Sequence, residues 1–361
     1  MALVLPVILF VLFSQHYLFY YTDHNTERIR RFYQEEENSL DVVFLGASDV
    51  FSGFSPALAY EECGFTSYMY AIDANPGALY KYQLKEVLST QKPQKIFVEV
   101  NGFLYDQPMD EERLRIFTEN IPFSLNELEA ILRFKEEDKL GTLFPFIIYH
   151  GDWEKGRGLL DQVEWRLSTS RTPSVLKGII TCTTIDKTLP EDVVLSQEQM
   201  AAMKIGEQAL EEFLAFCREE DLENIVFVRF PHKSADKQKM LVDQIENRVR
   251  ECGYSFLNLE EHKEAMGLDV LQDYYNSEHL NIYGQSKLTT YLGDMIVNEY
   301  GVVPMAQSEK NRLHWETCTA YYHDFYAYAH GLITQNTEQW PCEDNLTFPQ
   351  FLDWREQNGA A

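Results

Sequence analysis

The sequence lacks the patterns that mark metal sites, nucleotide-binding loops and nucleic-acid surfaces. Its six cysteines form no Cys-x-x-Cys pair, and no group of cysteine and histidine has zinc spacing. No Gly-x-Gly-x-x-Gly or Walker pattern is present, which argues against a nucleotide-binding protein. Basic residues are few: 31 Lys and Arg stand against 57 Asp and Glu, and the net charge of -26 argues against nucleic-acid binding through a basic patch. We therefore expect no metal, no cofactor and no nucleic-acid partner.

The longest uncharged apolar stretch lies at the amino terminus. Residues 2–13 carry no charge, and after residues 14–16 the run resumes to residue 21 with several tyrosines. About twenty helical residues span the roughly 30 Å of a bilayer core, so we predict a membrane anchor over residues 1–23. A signal-peptide core or a buried helix is the alternative. Arg28, Arg30 and Arg31 follow the segment and no basic residue precedes it, which by the positive-inside rule favours a cytoplasmic main domain.

Short apolar runs alternate with helical patterns in the rest of the chain, which is long enough for one large domain or two smaller ones. The apolar runs lie at residues 42–45, 66–71, 95–100, 224–230 and 254–259. Helical patterns lie at residues 26–38, 57–63, 78–90, 196–220, 236–251 and 288–300. This alternation predicts an α/β fold with one mainly parallel, five-stranded sheet and helices on both faces.

Two regions depart from this alternation. Residues 105–195 carry helical patterns at 111–119, 125–135 and 137–149 with no strand between them. They predict a helical insertion over the carboxyl edge of the sheet. The tail after residue 303 is rich in aromatic residues without clear periodicity, and its Cys318 and Cys342 either form a disulfide or remain thiols.

Ser48 follows the first apolar run in the sequence Gly46-Ala47-Ser48. Ser55 and Pro56 then indicate a helix N-cap and the first helical residue. Ser48 is therefore expected at the carboxyl end of a parallel strand, where open α/β sheets bind ligands. A small hydroxyl at this position suits a nucleophile, or alternatively a turn serine that satisfies a helix end.

A second polar segment precedes the closing helix. Residues 273–284 read Asp-Tyr-Tyr-Asn-Ser-Glu-His-Leu-Asn-Ile-Tyr-Gly. His279 follows the last predicted strand and has carboxylates nearby, so it is a candidate general base. The alternative is a surface histidine in an acidic loop.

The Ser48 and His279 segments together resemble the first and last motif blocks of the SGNH/GDSL hydrolases. Residues 38–48, 91–100 and 144–153, which include His150 and Trp153, also resemble a membrane-anchored, DltD-like and polysaccharide O-acyltransferase-like subgroup of Gram-positive bacteria. The resemblance covers about residues 25–300. It implies a flavodoxin-like three-layer sandwich, a Ser48 nucleophile, a His279 base and an extracytoplasmic, cell-surface location.

The oxyanion hole implied by the resemblance uses backbone and side-chain donors near Ser48. The family's Gly-Asp-Ser-Leu is Gly-Ala-Ser-Asp in this chain. The second-block glycine falls near Ala74, whose backbone N–H still donates, and Asn101 stands just after the third strand without the family's full third block. The expected donors are therefore the N–H groups of Ser48 and Ala74 and the side chain of Asn101.

The family's aspartate, three residues before the histidine, is Asn276 in this chain. An asparagine oxygen orients an imidazole but brings no charge, and in serine proteases the same change lowers the rate by about four orders of magnitude. Asp273 or Glu278 could supply the missing charge, because both lie in the same segment.

These observations leave two classes of function open. The first is a serine esterase or O-acyltransferase acting on acyl esters of cell-envelope polymers or sugars, with a membrane-bound acyltransferase as a partner. The second is a non-catalytic envelope protein that binds a polymer or serves as a scaffold. In both cases the expected organisation is an anchor at 1–23, an SGNH-like domain at 24–303 and an extension at 304–361.

Overall fold

The central sheet has five strands, and all of them are parallel. The computed structural model describes residues 5–7, 10–11, 25–104, 106, 108–135, 138–149, 151, 163–164, 166–167, 173–190, 204–234, 238–341 and 347–359. The strands are β1 (Val42–Gly46), β2 (Ser67–Ala71), β3 (Lys95–Glu99), β4 (Ile225–Arg229) and β5 (Ser255–Asn258). They lie in the order β2-β1-β3-β4-β5. This confirms the predicted α/β fold with the strand order of a flavodoxin-like sandwich.

Helices connect the strands and cover the sheet. In the first half they are α1 (Thr26–Phe32), α2 (Ser48–Gly53), α3 (Pro56–Cys63), α4 (Gly77–Thr90), α5 (Glu111–Thr118), α6 (Leu125–Phe134) and α7 (Lys139–Leu143). In the second half they are α8 (Glu207–Glu219), α9 (Lys239–Glu251), α10 (Ile282–Asn298), α11 (Glu309–Thr334) and α12 (Thr347–Gln357). Short 3-10 helices span Val100–Phe103, Pro145–Ile147 and Leu259–His262. Helix α3 packs against α10 and α11, and α4 packs against α8.

The strands are mainly apolar, as expected for a parallel sheet that helices cover on both faces. Every residue of β1, β2 and β4 is buried. The predicted cap of α3 is confirmed, since Ser55 Oγ accepts a hydrogen bond from the N–H of Leu58 at 3.4 Å and Pro56 is the first helical residue. Gly64 ends the helix in the left-handed region, with φ of 82°.

Several predicted helices have different bounds in the structure. The helix predicted at 137–149 is replaced by α7 and a 3-10 turn, because Pro145 has no N–H to continue a helix. Helix α8 begins at Glu207 after Gly206, so residues 204–206 of the predicted helix 196–220 are not helical. Helix α1 ends at Phe32, six residues earlier than predicted. Helix α10 begins at Ile282, six residues earlier than predicted, because Asn281 caps it.

The carboxyl-terminal tail, in which the sequence shows no clear periodicity, forms two helices in its described residues. Helix α11 has 26 residues, and one of its faces is buried. Trp315, Cys318, Tyr322, Phe325 and Ala329 form this face at spacings of three and four residues. Large aromatic residues on the other faces of the helix hide this period in the sequence. Cys342 lies outside the described residues, so its pairing with Cys318 stays a prediction.

Most of the predicted membrane anchor at 1–23 lies outside the described residues, as do His150 and Trp153. Within the part of the chain that the structure describes, no helix combines the length and the apolar character needed to cross a membrane. The arginines after the anchor belong to the globular fold. Arg28 is buried and donates hydrogen bonds to the carbonyl oxygens of Ala71 and Gly178, each at 2.8 Å. Its positive charge therefore has a structural role in the domain.

Candidate active site

Ser48 is the first residue of helix α2, directly after β1. The sequence predicted a turn that continues to the helix at residue 56, but the chain first forms this extra short helix. Glycine at position 46 permits the sharp change from strand to helix. A Cβ atom there would lie 2.5 Å from Val50 Cγ2 and 2.7 Å from Glu99 Cβ. Ser48 therefore presents its backbone N–H at a helix start, where no intrahelical acceptor faces it.

The loop that carries His279 is fixed at both ends by backbone hydrogen bonds. Tyr274 and Leu280 form an antiparallel bridge, and the N–H of Tyr275 donates to the carbonyl oxygen of His279 at 2.9 Å. Asn281 then caps α10 by accepting from the N–H groups of Tyr283 and Gly284. These contacts hold the His279 side chain at the carboxyl edge of the sheet.

The structure brings Ser48 and His279 together from positions 231 residues apart in the chain. His279 Nε2 lies 2.7 Å from Ser48 Oγ, within hydrogen-bond distance. The other ring nitrogen, Nδ1, lies 3.1 Å from Asn276 Oδ1. Asn276, at the family's spacing, is thus the residue that orients the imidazole.

The orientation of the Asn276 amide determines which nitrogen of His279 is basic. Asn276 Oδ1 accepts hydrogen bonds from the backbone N–H groups of Glu278 and His279, each at 2.8 Å. Two N–H donors identify this atom as the amide oxygen, so His279 Nδ1 must carry the proton that points to it. Nε2 is then the unprotonated nitrogen and faces the Ser48 hydroxyl. This is the tautomer that a general base needs.

Asp273, the alternative source of charge, is directed elsewhere. Its Oδ2 lies 2.6 Å from Lys287 Nζ and accepts a hydrogen bond from the N–H of Asp269 at 2.6 Å. Helix α10 starts early enough to place Lys287 on its second turn, beside this carboxylate. Glu278, the other candidate, is exposed to solvent. The structure therefore joins Asn276, and not Asp273, to the His279 ring.

Two further predicted residues lie next to Ser48. Ala74 has φ of 47°, in the left-handed region that favours glycine. Asn75 holds this loop to the end of β1, because its Nδ2 donates to the carbonyl oxygen of Gly46 at 2.9 Å. The Asn101 side chain donates through Nδ2 to Asp49 Oδ2 at 2.8 Å, which leaves the second amide hydrogen for another acceptor.

A buried polar group behind Ser48 was missed in the sequence. Asp49 Oδ1 lies 3.5 Å from His232 Nε2 and 3.8 Å from His279 Nε2. His232 Nδ1 lies 3.0 Å from Arg229 Nη2, and Arg229 Nη1 lies 3.5 Å from Glu99 Oε1. One signal in the sequence could have revealed this group. Glu99 and Arg229 are charged residues at the ends of two apolar strands, on the edge where Ser48 lies.

Neighbouring charges set the protonation of the two buried carboxyl groups. Burial acts to raise the pKa of Asp49, but the charges of His232, His279 and Arg229 outweigh it and lower that pKa to about 2. Burial and the negative charge of Asp49 raise the pKa of Glu99 to about 8, against the opposing effect of Arg229. At neutral pH Asp49 is therefore ionised, and Glu99 is largely protonated.

Ser48 and His279 open onto a cavity of about 740 Å³. Ala74, Asn101 and Glu278 also line it, together with residues from α4, α6 and α8. The cavity lies at the carboxyl edge of β1 and β3, where the strand order reverses direction, as expected for ligand binding in this fold. Within the described ranges, no group of His, Cys, Asp and Glu side chains has a geometry that could hold a metal ion.

Comparison with known proteins adds no assignment to this geometry. No protein-family model matches the chain, and no curated protein is significantly similar to it.

Proposed function

We propose that the chain is an SGNH-type serine esterase or O-acyltransferase, with Ser48 as the nucleophile and His279 as the general base. The observation that carries the proposal is the 2.7 Å contact between Ser48 Oγ and the unprotonated Nε2 of His279, at the mouth of a cavity. A nucleophile, a base in hydrogen-bond contact with it and a third residue that orients the base are the shared features of nucleophilic hydrolases.

The first half of the reaction forms an acyl-enzyme. Ser48 Oγ bonds to the carbonyl carbon of an ester while its proton moves to His279 Nε2. The carbon–oxygen bond of the ester then breaks, and the departing alkoxide takes the proton from His279 and leaves as an alcohol. In the second half, water or a sugar hydroxyl gives its proton to His279, and its oxygen bonds to the acyl carbon. The bond between that carbon and Ser48 Oγ then breaks, and His279 returns the proton to Oγ. Water yields a free acid, and a sugar hydroxyl yields a transferred ester.

Three donors would stabilise the negative oxygen of the tetrahedral intermediate. They are the backbone N–H of Ser48 at the start of α2, the N–H of Ala74 and the second amide hydrogen of Asn101. The left-handed conformation of Ala74 supports this role, because it turns the loop between β2 and α4 beside Ser48 at the rim of the cavity.

The substrate class in the proposal is an acyl ester on a cell-envelope polymer or sugar. The cavity of about 740 Å³ is large enough for a sugar residue with its acyl group. The apolar amino terminus and the resemblance to membrane-anchored SGNH proteins favour an extracytoplasmic enzyme with a membrane-bound acyltransferase as a partner.

Labelling with a fluorophosphonate tests the nucleophile directly. The probe should react with the full chain at Ser48 and should fail to label Ser48→Ala, and this variant should lose at least about 1000-fold in kcat on p-nitrophenyl acetate. Ser52→Ala is the matched control, since it removes a hydroxyl from the same helix and keeps the nucleophile. Equal turnover by Ser48→Ala and the unmodified chain would disprove the proposal.

One observation favours the second candidate, a non-catalytic binding or scaffold protein. The residue that orients His279 is the uncharged Asn276, whereas a hydrolase of this type has an aspartate. If the fluorophosphonate fails to label the unmodified chain and esters are not turned over, this second candidate replaces the first.

A further inference from the structure

Asp49 follows the nucleophile in the chain and carries a full negative charge. Among the described residues, no other ionised carboxylate next to Ser48 contacts His279. The Asp49 side chain is 2 % exposed, and Oδ1 lies 3.8 Å from His279 Nε2. In the described part of the chain no donor lies within normal hydrogen-bond distance of this oxygen, and His232 Nε2 lies 3.5 Å from it. The other oxygen, Oδ2, is held by the Asn101 amide at 2.8 Å. The carboxylate is therefore fixed in place, and one buried oxygen faces the imidazole.

We infer that Asp49 supplies to the His279 imidazolium the negative charge that Asn276 cannot supply, so that orientation and charge come from two separate residues. The inference rests on the proposed function, because it assigns a role in the proton transfer from Ser48 to His279. Asn276 fixes the tautomer through Nδ1, and Asp49 stabilises the positive charge from the Nε2 side. Asp49 is a positioning residue in this scheme, since it acts on the substrate only through His279.

The distance of 3.8 Å between Asp49 Oδ1 and His279 Nε2 suits these two separate roles. It is too long for a hydrogen bond, so Asp49 does not compete with Ser48 for Nε2. It is short enough for a strong interaction between charges, because the Asp49 carboxylate is buried. The charge is present at neutral pH, because the interactions with His232, His279 and Arg229 lower the pKa of Asp49 to about 2 against the effect of burial.

The other polar groups around Asp49 hold its carboxylate rather than neutralise it. His232 Nδ1 faces the Arg229 guanidinium at 3.0 Å, so Nδ1 accepts and the His232 proton lies on Nε2, towards Asp49. Glu99 is largely protonated and so adds little negative charge. Neither Asp273, which is paired with Lys287, nor the exposed Glu278 offers a comparable charge to His279.

A double-substitution cycle on the full chain, with p-nitrophenyl acetate as the substrate, tests the inference. Asp49→Asn removes the charge and keeps the size of the side chain, and Asn276→Asp adds a carboxylate beside the other ring nitrogen. Asp49→Asn alone should lower kcat by about 100-fold and leave KM within about twofold. Combined with Asn276→Asp, the same substitution should lower kcat by less than about fivefold. An equal loss in both backgrounds overturns the inference, because a structural role would not be rescued.

The pH dependence of kcat/KM would not change if Asp49 contributed only to packing. A carboxylate beside an imidazole stabilises the protonated form of the ring. Asp49→Asn should therefore shift the acidic limb of the kcat/KM profile to lower pH by about one unit. His232→Gln keeps the carboxylate and should shift the limb by less than about half a unit. A limb that stays in place in Asp49→Asn, or that moves as far in His232→Gln, overturns the inference.

A titration that needs no activity separates failure of the inference from failure of the proposed function. Histidine resonances of the labelled full chain are followed against pH, and His279 is assigned by comparison with His279→Gln. Asp49→Asn should lower the midpoint of this titration by about one unit even if Ser48→Ala shows that the chain is not a hydrolase. If Asp49→Asn does not fold, Asp49→Ser removes the same charge. An unchanged midpoint overturns the inference in either variant.

Discussion

Two histidines flank the same carboxylate, but their surroundings give them different roles. His279 and His232 lie 3.8 Å and 3.5 Å from Asp49 Oδ1 through their Nε2 atoms. At Nδ1, His279 faces an acceptor, the Asn276 oxygen, whereas His232 faces a donor, the Arg229 guanidinium. The partner at Nδ1 therefore leaves Nε2 of His279 unprotonated and puts the proton of neutral His232 on Nε2.

The comparison shows that the ring nitrogen away from the reaction decides what a histidine can do. His279 has its free nitrogen at Ser48 and lines the cavity, so it can take and return a proton. His232 directs an N–H at Asp49 and does not line that cavity, so it can only hold the carboxylate in place. Three predictions follow this difference between the two histidines, each with its own measurement.

The largest difference is expected between His279→Gln and His232→Gln. His279→Gln removes the base and should lower kcat on p-nitrophenyl acetate by at least about 1000-fold. His232→Gln should lower kcat by roughly tenfold, because His232 acts on the reacting atoms only through Asp49. Steady-state kinetics of both variants, with circular dichroism as the check on folding, measures the difference. Similar losses in the two variants would mean that the roles assigned to the two histidines are wrong.

A smaller difference is expected between Asn276, which orients His279, and Gln238, which contacts the arginine beside His232. Asn276→Leu removes the acceptor that fixes the His279 tautomer and should lower kcat by about 30-fold. Gln238→Leu is the matched control on the other side, where Gln238 Oε1 accepts from Arg229 Nη2 at 2.9 Å. Because Gln238 is remote from the reacting atoms, its replacement should lower kcat by less than about threefold. If Asn276→Leu retains full turnover, the tautomer does not depend on this amide.

The smallest effect concerns the free energy of unfolding. It depends on Glu99, which lies beside Arg229, the partner of His232, and is protonated in the folded state. The pKa of Glu99 is raised from 4.5 to about 8, so between these values the unfolded chain has lost this proton and the folded chain retains it. The free energy of unfolding should therefore fall as pH rises through this window, by at most about 1.4 kcal/mol per pH unit for one group.

Glu99→Gln should remove this part of the decline, and urea unfolding at pH 5, 6 and 7 measures it. Glu127 is the matched control outside the site. Burial raises its pKa to about 8 as well, with the hydrogen bond from Ser124 opposing. Glu127→Gln should flatten the decline by a similar amount and leave kcat unaffected. A slope that is identical in Glu99→Gln and the unmodified chain would mean that Glu99 is ionised in the fold.

The sheet could be predicted from sequence because its central strands are almost completely buried. Largely apolar runs at 42–45, 95–100 and 224–230 carry this signal locally, and the ends of each lie within one residue of the observed strand bounds. The tail from Glu309 to Thr334 could not be predicted in the same way. Its helix has aromatic residues on several faces, and only packing against α3 and α10 selects the face that becomes buried.

The candidate site also has features that the sequence could predict and features that it could not. The sequence by itself determined that Ser48 and His279 follow strands of one parallel sheet, because the carboxyl ends of such strands share an edge. It could not determine which polar side chain reaches the imidazole. That depended on where α10 starts, since the start places Lys287 beside Asp273 and leaves Asn276 to His279. Only the tertiary structure brought Asp49 between two histidines, because Asp49 lies on helix α2 and the histidines lie in two separate loops that meet it when the strands are aligned.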